Sequence, residues 1–247
     1  KYVLEDTQAN IVVATADFAQ FLEPLIQELN LRLIVLDTIP DDIFLFNILP
    51  DIKPTRRAMI LYTSGTTNLP KGVVTTHGTI EAQVSTLVKA WQWSADDYTI
   101  CILPLHHVHG IINVTSCALW SGATVQFVPQ FSAEEVFRIF QEGKINVFMA
   151  VPTIYFKLIA YWESLPETEQ KVLTATMQKF RLMVSGSAAL PVSVMEKWEQ
   201  ISTHRLLERY GMTETSMGIS NPYEGERRAG YIGKPLPGVK VRLVDEN

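Results

Sequence analysis

The chain has 247 residues, 47% hydrophobic and 19% charged, which excludes a disordered chain or a coiled coil and leaves room for one large domain or two modest ones. Lys and Arg number 21 against 26 Asp and Glu, a formal charge of −5, so the chain is a poor wrapper of nucleic acid or anionic lipid, although a small anionic ligand needs only local positive charge. Cys101 and Cys117 are too few for a disulfide framework or a structural zinc site, and both sit in apolar runs, as buried thiols in a reducing compartment do.

Helix and strand signals alternate along the chain. Ile11 to Thr15 reads as a short strand, Phe18, Phe21, Leu22, Leu25, Ile26 and Leu29 as a helix kinked by Pro24, and Leu31 to Leu36 as a second strand. Residues 40–57, with Pro40, Pro50 and Pro54, read as a linking loop. Ala58 to Tyr62 reads as a buried strand feeding a polar loop from Thr63 to Gly72. Ile80, Val84, Leu87, Val88 and Trp91 mark a helix, Thr99 to Leu103 a strand, Ile111 to Trp120 an apolar helix, and Ala123 to Val128 a strand. Ser132 with Glu135 three residues on is a capping box for a helix reaching Phe140. Further strands are expected at Ile145 to Val151, Phe180 to Val184, Arg205 to Glu208 and Val239 to Val244, and helices at Ile154 to Trp162, Thr168 to Lys179 and Val192 to Ile201. No apolar run reaches the ~18–20 residues of a membrane span. The alternation predicts an α/β fold, parallel-rich sheet layered with helices on both faces, with ligands bound outside the carboxyl ends of the strands.

Four loops carry candidate chemistry. Thr63-Ser64-Gly65-Thr66-Thr67-Asn68-Leu69-Pro70-Lys71-Gly72 combines four hydroxyls, two glycines and a lysine after a strand, a composition suited to ringing a phosphate. It is not a Walker loop, because counting from Gly65 places Pro70 at the second glycine and Gly72 where a magnesium-holding hydroxyl belongs. Ser185-Gly186-Ser187-Ala188-Ala189-Leu190-Pro191 is a small-residue turn between a strand and a helix. Tyr210-Gly211-Met212-Thr213-Glu214 offers an aromatic, a hydroxyl and a hard oxygen ligand. His106, His107 and His109 follow Leu103-Pro104-Leu105, but with no carboxylate or cysteine nearby they do not read as a metal site.

In this order the motifs resemble those of the adenylate-forming enzymes: acyl-CoA synthetases, luciferases and peptide-synthetase adenylation domains. Their phosphate loop reads Thr-Ser-Gly-Thr-Thr-Gly-x-Pro-Lys-Gly, from which Asn68 departs, a residue that tolerates positive φ. The resemblance implies that Thr63 to Lys71, Gly186 to Ala189, Glu208 and Tyr210 to Thr213 bind ATP and AMP, that Glu214 and Thr67 hold Mg²⁺, and that His107, Lys71, Thr213 and Glu214 serve catalysis. It covers nearly the whole chain, as a partial N-terminal domain with residues 1–57 as strand-helix-strand and linker and 58–247 as the core. It also implies that the ribose-binding aspartate and the C-terminal domain with its catalytic lysine lie outside these residues, so that this stretch alone turns over little substrate.

The stretches around Asn146 to Tyr155, Arg181 to Pro191 and Glu208 to Thr215 are most similar to the malonyl-CoA synthetase branch. Arg209, just before the Tyr-Gly pair, would there clamp a second carboxylate, with His107, Ser187 and Met217 completing the acyl site. The implied activity joins malonate or methylmalonate to the thiol of CoA through an acyl-AMP formed from ATP. A fatty-acyl or aryl-CoA ligase, or a non-catalytic nucleotide-binding homologue, are the alternatives. The partners are then small molecules and the remainder of the chain, with no nucleic acid or membrane, and the location is the cytoplasm, or the mitochondrial matrix in a eukaryote.

Overall fold

The computed structural model describes residues 1–36, 50–64 and 69–245, in two compact units, 1–51 and 52–247. Most of the expected 40–57 linker, and Gly65, Thr66, Thr67 and Asn68, lie outside the described residues.

The first unit contains α1 (Tyr2–Asp6), β1 (Ile11–Ala14), α2 (Ala16–Glu28) and β2 (Arg32–Val35). Strands β1 and β2 pair in parallel, Ile11 opposite Arg32, and α2 is the crossover, with Pro24 inside it as expected.

The second unit runs β3 (Arg57–Thr63), β4 (Lys71–Thr76), α3 (His77–Ala90), β5 (Tyr98–Cys101), a π-helical segment (His109–Ser116), α4 (Cys117–Ser121), β6 (Thr124–Phe127), α5 (Ala133–Gln141), β7 (Val147–Ala150), α6 (Pro152–Ser164), α7 (Glu167–Met177), β8 (Leu182–Ser185), α8 (Val192–Ser202), β9 (Leu207–Met212), β10 (Ser216–Ser220) and β11 (Lys234–Pro235). Seven strands form one sheet in the order β11-β10-β9-β8-β7-β5-β6, parallel from β6 to β9 and antiparallel beyond. The strands alternate between two cores. Phe148, Ala150 and Met183 pack under α5 to α8, while Val147, Met149, Leu182 and Val184 pack under α3, the π-helical segment and α4. The expected parallel-rich sheet with helices on both faces is what forms. Among the described residues no helix is long and apolar enough to cross a membrane.

Four local expectations are corrected. Strand β3 is no buried strand: it pairs antiparallel with β4 in a separate two-stranded sheet, and of its residues only Leu61 is buried. The apolar helix expected over 111–120 begins as a π-helix at His109 and becomes α-helical only at Cys117. At α5, Ser132 accepts the Glu135 N–H, but Glu135 turns its carboxylate to Arg138 instead of closing the box; the complete capping box is Thr76 with Thr79, opening α3. Residues 239–245 form no strand, because among the described residues no neighbour supplies a ladder, and Leu243 is 95% exposed.

The amino ends of the central strands are locked together. The Arg181 guanidinium donates to both oxygens of the buried Asp97 at 2.6 and 2.5 Å, Asn146 donates to Asp97 at 3.1 Å, and the Tyr98 N–H donates to Asn146 at 2.9 Å. Those contacts join the starts of β5, β7 and β8, and the carboxyl ends of the same strands are left to turns.

Candidate active site

The carboxyl ends of β3, β5, β7, β8 and β9 open onto a cavity of about 970 Å³. Thr63, Ser64, Lys71, His107, Ser187, Arg209, Gly211, Met212, Thr213, Glu214 and Met217 all line it, so the two described ends of the hydroxyl-rich loop, part of the Tyr-Gly motif and the histidine segment face one cavity. Leu69, Pro70, Gly186, Ala188, Ala189, Glu208 and Tyr210 stand outside its lining.

The residues of β9 alternate faces, and this sorts the motif by task. Tyr210 is 46% exposed, while Arg209 beside it is 3% exposed. The Arg209 guanidinium reaches back under the turn after β8, where Nη2 donates to Ser187 Oγ at 3.4 Å and Nε has no partner. Among the described residues no carboxylate pairs with it. Burial pushes this group down to about 9, which leaves it charged at neutral pH. Gly186 makes room for it, since a Cβ there would lie 2.4 Å from Arg209 Cζ. Ser187 meets it with a left-handed φ of +69°, a conformation costly for a residue with a Cβ.

Glu208, on the opposite face, staples the far end of the same turn. Its Oε1 accepts the Leu190 N–H at 3.0 Å, Oε2 is buried without a partner, and burial raises the carboxyl above its usual range. Two successive residues of β9 therefore hold both ends of the 186–190 turn.

His109 is the neighbour that sequence reasoning passed over in favour of His107. Its Nδ1 lies 3.1 Å from Ser187 Oγ and its Nε2 is buried without a partner. Burial, and then the charge of Arg209, hold it well below the usual histidine value, so it faces the guanidinium as a neutral ring. The widened π turn brings it inward, and Gly110 allows the close chain crossing there: a Cβ would meet the Pro104 carbonyl at 2.5 Å. His107 lies at the cavity wall with its ring 4.3 Å from that of His106; desolvation and then His106 lower it. Gln83 of α3 was equally silent, yet its Oε1 accepts the Met217 N–H at 2.5 Å and so seats a lining residue. Thr153, within the Asn146 to Tyr155 stretch, and Lys157, which stood out by no motif, also line the cavity from α6.

The donor set suits Mg²⁺ in one respect. Among the described residues no three His, Cys, Asp or Glu cluster, so a full protein cage is absent; Glu214 is a single exposed carboxylate in the cavity. Magnesium is commonly held by one or two carboxylates together with water and substrate phosphates, and Glu214 fits that pattern. Thr67, the other expected ligand, lies outside the described residues.

Comparison with known proteins gives these residues a context. The mitochondrial malonate–CoA ligase ACSF3 of Bos taurus is 46% identical over all of this chain and 44% of its own length, and that of Homo sapiens 44% identical over all of this chain and 45% of its own. A solved malonyl-CoA ligase with methylmalonyl-CoA and AMP bound is 32% identical with a TM-score of 0.83, covering 100% of this chain and 52% of that one. The ATP-bound MatB of Rhodopseudomonas palustris is 29% identical with the same TM-score of 0.83, covering 99% of this chain and 48% of that one. The chain thus spans about half the length of the relatives it matches. The profile of the AMP-binding enzyme family matches residues 1–247, and the chain belongs to that family.

Proposed function

We propose that the intact protein is an AMP-forming acid–thiol ligase that joins malonate to CoA. Relatives named malonate–CoA ligases at 44–46% identity support the reaction class. One observation carries the choice of acid: Arg209 is a buried cation facing the cavity with no carboxylate of its own among the described residues. A second carboxylate buried in such a pocket is costly unless a cation meets it, and a guanidinium offers two parallel N–H donors. Vertebrate relatives named as mitochondrial support a matrix location.

In the first step a carboxylate oxygen attacks the α-phosphorus of ATP, the bond to pyrophosphate breaks, and the acyl-AMP forms. In the second the CoA sulfur attacks the acyl carbon, giving up its proton, and AMP leaves. The first step brings two anions together, so positioning and charge neutralisation dominate. We assign Thr63, Ser64, Lys71 and Thr213 to the phosphates, His107 to the reacting carboxylate, and Ser187, Arg209 and Met217 to the distal end of the acid. Mg²⁺, held by Glu214, would neutralise phosphate charge when bound.

The test is a carboxylate panel with the intact protein. Arg209→Ala should cost about 3–5 kcal/mol in kcat/KM for malonate, a factor of roughly 10²–10⁴, and far less for acetate. Equal losses for both acids would make Arg209 a structural residue, and wild-type activity on long fatty acids with none on malonate would overturn the reading.

A further inference from the structure

Lys157 adds a cation to the cavity that the scheme above leaves without a task. It stands on α6 one turn beyond Thr153 and Ile154, which line the same wall, so all three project to one side of the helix. Its ammonium lies over the ring of Phe131, another lining residue, 5.6 Å from the centroid. A ring face attracts a cation without neutralising it. Among the described residues no carboxylate pairs with Lys157, so its charge faces the cavity uncompensated, as does that of Lys71, which the scheme above gives to the phosphates.

The physical need for such a group is plain. The described chemistry calls for anions, and these residues carry a formal charge of −5, so attraction of a dianion to the cavity has to come from local positive charge. Arg209 is 3% exposed and cannot act until the acid is already inside. An exposed ammonium on the cavity wall raises the local concentration of anions and speeds entry, an effect that salt screens, whereas a buried guanidinium acts on the bound state and is screened little.

We infer that Lys157, poised over Phe131, is an anion-capture residue that receives the incoming dicarboxylate and delivers it to Arg209. The inference rests on the dicarboxylate reading, and it assigns Lys157 to entry of the acid, apart from both the chemical step and ATP binding.

The intact protein tests this with Lys157→Gln and Lys157→Arg, assayed with malonate, acetate and ATP at about 0.01 M and about 0.15 M salt, where the Debye length falls from ~30 to ~8 Å. Lys157→Gln should lower kcat/KM for malonate about 5–10-fold at low salt and under about 2-fold at the higher salt, at the low end of known steering effects, with kcat and the KM for ATP held and acetate affected less. Lys157→Arg should restore the wild-type salt dependence. An unchanged malonate kcat/KM at low salt, an equal loss at both salts, or a matching rise in the KM for ATP would overturn the assignment while leaving the ligase reading in place. Malonate binding followed by intrinsic fluorescence separates the two ideas from the other side. Binding that depends on Lys157, with no malonyl-CoA formed, overturns only the ligase reading, and no malonate binding at all overturns both.

Discussion

A methyl group at position 186 would be forced into the Arg209 guanidinium, 2.4 Å away. The obstacle is the far end of a flexible side chain, so Gly186→Ala should displace the arginine and leave the fold standing. Overpacking of this kind costs about 1–3 kcal/mol, and we expect it in malonate kcat/KM, a loss of about 10-fold or more, with little change in melting temperature. A large drop in melting temperature with malonate selectivity intact would refute the pairing. The sequence already pointed to Arg209 through its resemblance to the malonyl-CoA synthetase branch, where an arginine precedes the Tyr-Gly pair. It did not point to His109 or Gln83. Their importance comes from a π turn and from a helix-to-strand contact 134 residues apart, and neither leaves a local pattern.

At the scale of elements, the 186–190 turn is held by β9 through Glu208 and Arg209. Glu208→Ala would leave the Leu190 N–H without its acceptor, a cost of about 1–3 kcal/mol, while Glu208→Gln keeps an acceptor and removes a buried ionisable group. Hydrogen exchange at the Leu190 amide should therefore accelerate in the alanine variant and stay near wild type in the glutamine variant; unchanged protection in the alanine variant would show that the turn holds itself. The same scale explains what the sequence hid. Helices and central strands were legible because apolar periodicity is local. The hairpins β3–β4 and β9–β10 were not, since a strand's partner is a relation between segments: the β-branched run Val73 to Thr76 does not by itself say that Arg57 to Thr63 lies beside it.

For the molecule as a whole, two histidines, buried His109 and half-buried His204, work against stability in acid. His204 Nε2 donates to the Met177 carbonyl at 2.9 Å, and burial lowers it, as burial lowers His109. A histidine held low when folded takes up protons more readily when unfolded, so its stabilising contribution is complete above ~6.5 and is lost as the pH falls through the lowered folded value. Urea midpoints should thus decline as pH falls below ~6.5, and His204→Gln should flatten the slope without reaching the cavity; an equally steep curve would assign the loss to other groups. Glu208, raised by burial, works in the opposite direction. The Asp97–Arg181 lock lies at the amino ends of strands whose carboxyl ends carry the cavity. Strands of four residues separate the two by roughly 13 Å, beyond the range at which substitutions usually couple. Free-energy changes from Asp97→Asn and Gly186→Ala should therefore add within ~0.5 kcal/mol. Residues around the cavity can then change while the opposite end preserves foldability, which would make this scaffold permissive to the evolution of new specificity.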